Sequence, residues 1–222
     1  MLKKVLVVLL STILTFSVVG CSNSNNNETQ ENQIKVEDKN EETFIGNGTW
    51  AEDYTRDEVI AFNNEISSRV EETVNFYGLD YTKEEVVKEF NGETINDNSI
   101  YFDNIDPEPN RIESMYYGMK IYGSDLSSGS LNLKIGFKLD VDLIKEEDKF
   151  DLKETSISTF SEAMTNNIDR DYTEINEKII DIVKNQDSNG TIETNLDGLV
   201  ETITIKGDYL LYKLDTKVYN FK

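Results

Sequence analysis

Residues 131 to 143 read LNLKIGFKLDVDL. Leu131, Leu133, Ile135, Phe137, Leu139, Val141 and Leu143 alternate with Asn132, Lys134, Gly136, Lys138, Asp140 and Asp142. Period two marks a strand whose side chains point by turns to a core and to water. A strand of a parallel sheet covered on both sides would be apolar throughout, so this pattern calls for an antiparallel sheet with one dry and one wet face.

Working upstream, Ser127-Ser128-Gly129-Ser130 turns the chain, and Met115, Tyr117, Met119 and Ile121 alternate with Ser114, Tyr116, Gly118 and Lys120 as a second strand. Ile100 to Ile105 is a third. It is closed by Asp106-Pro107-Glu108-Pro109-Asn110, where two residues lack an amide proton for a ladder. Earlier still, Thr55-Arg56-Asp57-Glu58 has the spacing of a capping box, and Val59, Phe62, Ile66, Val70, Val74 and Tyr77 recur at steps of three and four before Gly78. A helix is expected there. Thr82-Lys83-Glu84-Glu85 repeats the capping spacing before Val86, Val87 and Phe90, with Gly92 as a stop, which predicts a second helix.

Downstream, Ile157, Phe160, Met164 and Ile168 suit a helix, and Asp171-Tyr172-Thr173-Glu174 opens another carrying Ile175, Ile179 and Val183. Asn189-Gly190 should end it. Thr191 to Asn195, Leu199 to Lys206 and Tyr209 to Phe221 read as strands, the last two joined tightly at Gly207-Asp208. The expected fold is α+β, with two successive helix-helix-strand-strand-strand units over residues 55 to 143 and 155 to 221. The sheet is antiparallel and the helices pack on one face.

The amino end is different in kind. Lys3 and Lys4 precede an apolar run from Val5 to Phe16 broken only by Ser11, Thr12 and Thr15. This is the layout of an export signal. The weakly polar stretch to Val19 is 15 residues long, short of the roughly 20 needed to span a bilayer permanently. Val18-Val19-Gly20-Cys21 resembles the lipobox of bacterial lipoproteins, in which a cysteine receives a diacylglyceryl thioether and becomes the first mature residue. That resemblance implies a signal at residues 1 to 20, lipidation at Cys21 and a chain held on the extracytoplasmic face of a membrane. Val18 and Val19 depart from the commoner leucine and small residue at those positions. Cys21 is the sole cysteine, so a disulfide within the chain and a thiolate metal cluster are excluded. The scarcity of Pro and Trp beside abundant Asn, Lys, Ile and Asp resembles the usage of low-GC Gram-positive bacteria.

Residues 21 to 42 offer only Ile34 and Val36 as aliphatics beyond the cysteine, too little to offset the entropy of ordering, and are expected to form a tether. Its typical reach is roughly 25 Å. Residues 43 to 222 remain for the α+β domain. The succession of elements, with Tyr81-Thr82-Lys83-Glu84-Glu85-Val86 opening the second helix, resembles the tandem helix-helix-sheet modules of the β-lactamase inhibitor protein family and of small outer-membrane assembly lipoproteins. The resemblance implies a protein-binding sheet face and no catalysis.

Forty-three acidic residues face 22 basic ones, a net charge of −21. Loss of the leader with its two lysines leaves 20 basic residues, a mature charge of −23. Nucleic acid is thereby excluded as a partner and adsorption to anionic headgroups is opposed, which leaves the Cys21 lipid to engage the bilayer. With no histidine and the cysteine committed to lipid, Ser-His, Cys-His and histidine-metal chemistry are excluded. Phosphate-binding loop sequences are missing, and no cofactor is expected. Asn185, Asp187, Asn189 and Gly190 echo a calcium loop, but Leu196 stands where a bidentate glutamate is required, so the stretch is read as a polar turn. The acidic cluster Asp103, Asp106, Glu108 and Glu113 is read as a solvated edge loop, and Trp50 with Tyr54 as a staple where the tether meets the first helix.

Tyr116 and Tyr122 are the candidate partner-binding residues. They share the strand face opposite Met115, Tyr117, Met119 and Ile121, and are either exposed on an open sheet or covered by a second layer. The expected activity is non-catalytic binding of another envelope or secreted protein, through the sheet face or the helix layer. The alternatives are a glycan hydrolase working through paired carboxylates, and a small-solute receptor, for which about 180 residues are few.

So large a charge of one sign makes self-repulsion a standing cost to the compact state. The melting temperature should rise with ionic strength as the Debye length falls from about 30 Å at 0.01 M to about 10 Å at 0.1 M salt. At fixed ionic strength, millimolar calcium should add nothing. A saturable rise with calcium that magnesium does not reproduce would reveal a true cation site.

Overall fold

The structure is a computed structural model that describes residues 54 to 222, apart from 124, 186, 197 and 198. The expected leader with Val18 to Cys21, the expected tether and Trp50 lie outside the described residues.

Helix α1 (Arg56–Phe76) begins as the capping box requires, with the Thr55 hydroxyl accepting from the Glu58 amide and the Glu58 carboxylate accepting from the Thr55 amide. Val59, Ile66, Val70 and Val74 are wholly buried along its inner stripe, and Gly78 sits at a positive φ just past its end. The second expected helix is corrected here: Thr82–Phe90 is strand β1, paired antiparallel with β2 (Glu93–Asp103). The reason lies in Asn91-Gly92. Both residues have positive φ, 54° and 84°, which makes them the two-residue turn of a hairpin rather than a helix stop. The capping residues Thr82 and Glu85 instead pair across to Tyr101 and Asn98.

Strand β3 (Arg111–Tyr122) follows the proline loop, and β4 (Ser128–Lys138) follows the next turn. The alternating run of 131 to 143 is therefore strand only in its first part. Asp140 accepts a hydrogen bond from the Leu143 amide at 3.0 Å and starts α2 (Val141–Glu147), so Val141 and Leu143 are helical, and Leu143 is exposed. One 3₁₀ turn, Leu152–Glu154, leads to α3 (Ser156–Thr165), which stops short of the exposed Ile168. Helix α4 (Thr173–Lys184) buries Ile175, Ile179 and Val183. Asn189-Gly190 does not end it but opens β5 (Asn189–Leu196). Strand β6 (Leu199–Lys206) turns through Gly207-Asp208 into β7 (Tyr209–Asp215), and β8 (Tyr219–Asn220) completes the sheet.

The fold is α+β, and the described residues form one antiparallel eight-stranded sheet and four α-helices. The expected helix-helix-strand-strand-strand order does not occur in the first half, where one helix precedes four strands. The strand path β1-β2-β3-β4-β7-β6-β5 instead places two meanders back to back, joined where β4 pairs with β7, while β8 pairs with the start of β4. Helix α1 lies over β2 and β3, α3 over β3 and β4, and α4 over β5 and β6. All three therefore cover the face that carries Ile100, Tyr117, Leu133, Phe137, Ile203 and Tyr212, each fully buried. Among the described residues no helix covers the other face.

One charged network is sealed into this core. Glu201, on the helix side of β6 and 1% exposed, receives two bonds from the Arg170 guanidinium at 2.7 and 2.6 Å, one from the Tyr212 hydroxyl at 2.7 Å and one from the Thr194 hydroxyl at 2.6 Å. Arg170 comes from the loop between α3 and α4 and also lies over the ring of Tyr172, 4.5 Å from its centre. Burial opposes ionisation of Glu201, but the bonds from Arg170, Thr194 and Tyr212 outweigh it and hold its carboxyl below the ordinary value of 4.5.

A carboxyl lowered on folding stabilises the native state above its unfolded pKa and loses that contribution as the pH falls through and below it. Unfolding free energy should therefore decline below about pH 4.5 more steeply for the wild type than for Glu201→Gln. At neutral pH, Arg170→Met should cost about 3 to 5 kcal/mol by leaving a buried carboxylate unpaired, and adding Glu201→Leu should recover part of that loss in urea titrations. Additive losses would mean that the two side chains do not act as a pair.

Candidate functional site: the uncovered sheet face

Tyr116 and Tyr122 stand at alternate positions of β3 and point away from the helices, as the alternation of that strand requires. Neither is wholly exposed, because neighbours on the same face close around them. The Tyr116 hydroxyl donates to Asp97 Oδ1 at 2.7 Å, and Lys88 Nζ donates to Asp97 Oδ2 at 2.7 Å. One aspartate thus ties β1, β2 and β3 together. The phenol of Tyr116 is pushed well above its ordinary pKa by burial first and by this bond second, so it remains a neutral donor. Tyr122 shares a 3.0 Å hydrogen bond with Ser130, and the Tyr101 hydroxyl donates to Glu84 at 3.0 Å.

The room for Tyr116 comes from Gly118, two residues along the same strand. A Cβ on Gly118 would stand 2.2 Å from the tyrosine oxygen, so the phenol lies across that glycine. Two ammonium groups approach the ring. Lys120 Nζ is 5.5 Å from its centre and Lys134 Nζ 5.7 Å, within the range of a cation–π contact. Lys134 pairs directly with Tyr116 across the β3–β4 ladder, and with Lys213 across the β4–β7 ladder. Burial lowers the pKa of Lys120; Asp97 pulls it back up, while Lys134 and Lys88 press it further down.

Beside Tyr116 is a depression of about 340 Å³, walled by Tyr101, Tyr116 and Leu211, with Gly136 and Ser114 in its lining and Lys134 and Asp103 at its edges. Tyr209 of β7 lies across Gly136, its hydroxyl 2.8 Å from where a Cβ would be. Half-buried tyrosines, a leucine and a few polar groups around a shallow hollow can hold one side chain of a partner and orient its neighbours.

The remaining sequence candidates are not gathered into a site. Asn185 closes α4, and β5 starts at Asn189. Among the described residues no group of three or more Asp, Glu, His or Cys is placed to hold a metal ion. Cys21 lies outside the described residues. Lys88, Asp97, Tyr101, Lys120 and Lys134 were not singled out from the sequence, where they appear only as the polar positions of alternating strands. The ladder register brings them around Tyr116, and two-residue turns such as Asn91-Gly92 were the available signal.

Tyr116→Phe removes the hydroxyl and leaves Asp97 with Lys88 as its side-chain partner. A half-buried bond to a charged acceptor contributes about 1.5 kcal/mol, so chemical denaturation should register a loss of that order, and Tyr122→Phe a smaller one. Equal losses would mean that the Asp97 bond has no special weight. Compared with known protein families, with characterised proteins and with solved structures, the chain matches none.

Proposed function

We propose that this chain is a lipid-anchored protein of the extracytoplasmic side of a bacterial membrane, held there through Cys21, and that it binds another envelope or secreted protein without catalysing a reaction. The uncovered sheet face carries the reading. Four tyrosines, Tyr101, Tyr116, Tyr122 and Tyr209, occupy it together with Leu211, Val200 and Val86. Tyrosine supplies a large, stiff contact area with a polar end, which is why it is enriched among binding anchors. Hydrogen bonds already hold three of these rings, so little side-chain freedom remains to be lost on association.

The anchoring half of the reading rests on the signal and on the cysteine position. Among the described residues no helix is long and apolar enough to cross a membrane. On this reading two acyl chains supply the affinity for the bilayer, and the acidic tether keeps an acidic body clear of anionic headgroups.

Both halves can be tested in cells. An alkyne analogue of palmitate should label the wild-type chain and fail to label Cys21→Ala, and equal labelling of the two would overturn the lipid assignment. A photo-crosslinking residue at Thr204, on the uncovered face beside Leu211, should give a discrete heavier adduct, while one at Glu177 on the outer side of α4 should not. Adducts from Glu177 alone would move the binding surface to the helix layer.

A further inference from the structure

The uncovered face departs from the charge of the rest of the chain. Acids outnumber bases 43 to 22 overall, yet Lys88, Lys120, Lys134 and Lys213 cross the middle of this face with only Asp97 and Asp215 among them. Lys88 is paired with Asp97, and Lys213 stands 3.9 Å from Asp215. Among the described residues Lys120 and Lys134 have no carboxylate within ion-pair distance, and both lie against the ring of Tyr116.

Lys120 faces Asp97 across the β2–β3 ladder, but that carboxylate already accepts from Lys88 and Tyr116, and Lys134 has no carboxylate opposite it on either neighbouring strand. Like charges directly opposite one another on a ladder are destabilising, and Lys134 faces Lys213 in that way. With about two carboxylates available per base, two lysines that share one ring and have no ion pair of their own represent a charge still to be matched. We infer that the Lys120–Tyr116–Lys134 cluster receives an acidic, extended segment of a protein partner, with two of its carboxylates on the lysines and an apolar or aromatic side chain in the neighbouring hollow. This inference rests on the reading above that the face meets a protein.

The dimensions agree with such a segment. Each ammonium lies less than 6 Å from the centre of the same ring, so the two are no more than about 11 Å apart. Carboxylates on alternate residues of an extended chain are separated by about 7 Å, which lets both reach a lysine from one strand-like stretch. The next side chain on the same face of that stretch, two residues beyond a carboxylate, meets the 340 Å³ hollow lined by Lys134. A charge-dense polymer fits less well. Glu84 and Asp103 bound the cluster on one side and Asp215 on the other, and a net charge of −21 repels any partner whose anions extend far beyond it.

The probe is a fluorescein-labelled octapeptide with Glu, Glu and Tyr at successive alternate positions and Ser or Thr between them, its binding to the full chain in non-ionic detergent followed by anisotropy. A matched peptide with Lys in place of Glu, poly(glycerol phosphate) and phosphatidylglycerol vesicles complete the set. The acidic peptide should bind, more weakly as salt rises, and about tenfold or more weakly to the Lys120→Glu, Lys134→Glu double variant. Lys178→Glu with Lys184→Glu, on the opposite side of the molecule, should leave binding unchanged. Thermal melts identify any variant that is misfolded, and for such a variant Lys120→Gln with Lys134→Gln takes its place. Equal affinity for the lysine peptide, or indifference to the double variant, would overturn the inference. Displacement of the peptide by poly(glycerol phosphate) or by vesicles at equal charge would overturn it in favour of a phosphate polyanion or a lipid surface. Crosslinks from Thr204 without peptide binding would keep the protein-binding reading and remove only the charge class assigned here.

Discussion

Everything else in this fold depends on the pairing of β4 with β7. The first meander, β1 to β4, and the second, β5 to β7, each present one apolar face. They become one sheet through that ladder, with β8 adding a short second link to β4. Leu133 opposite Leu214, Ile135 opposite Tyr212 and Phe137 opposite Leu210 put six fully buried side chains at the junction. Burying a large aliphatic or aromatic side chain contributes about 1.5 to 3 kcal/mol. The seam therefore does more than align two halves, because it supplies the centre on which α3 rests and from which α1 and α4 spread over the two wings.

The Arg170–Glu201 network shows the same economy from the polar side. A charged pair in a core is a weak source of stability, since the two desolvation penalties can exceed the attraction. What it supplies here is position. The α3–α4 loop has few apolar residues, and without a specific contact nothing would select where Arg170 and Tyr172 settle on β6. Four donors converging on one carboxylate leave few arrangements that satisfy all of them, and the Tyr212 oxygen also accepts from the Ser161 hydroxyl of α3, linking helix, loop and three strands. Breaking the set would leave a buried charge, so the loop is held in one place by the cost of its alternatives.

The parts legible in the sequence were those in which a single periodicity ran without competition. The capping box and stripe of α1, the alternation of β3 and β4, and the Gly207-Asp208 hairpin were all evident. The misreadings arose where two local signals shared the same residues. Thr82 to Glu85 has capping spacing, but Val86, Val87 and the Asn91-Gly92 turn favour a hairpin. The outcome is decided by β2, whose eleven residues offer a partner for all nine of β1. Leu139, Val141 and Leu143 continue a strand pattern, and Asp140 ends it by capping a helix. Tyr116 could be assigned to a face from alternation alone. Its lysines could not, because Lys134 reaches it through register, which depends on every turn between Arg111 and Lys138.

A sheet covered on one side leaves the other to water, and that face must avoid pairing indiscriminately with other sheets. Charge accomplishes this in part: the outer strand β1 carries Lys83, Glu84, Glu85, Lys88 and Glu89 along an exposed edge. Negative charge elsewhere on the molecule repels acidic proteins and surfaces, so a patch of opposite sign at the centre of the face is selective as well as attractive. Long-range repulsion fades over about a Debye length, roughly 8 Å at physiological salt, whereas a half-buried contact at Tyr116 is screened much less. A partner with matching charge in a short stretch can therefore approach within that distance and be held, while one with diffuse negative charge is turned away before reaching it. If the face receives the acidic segment proposed above, the arrangement of lysines within an acidic body acts as a specificity device built on the same open face that the one-layered fold creates.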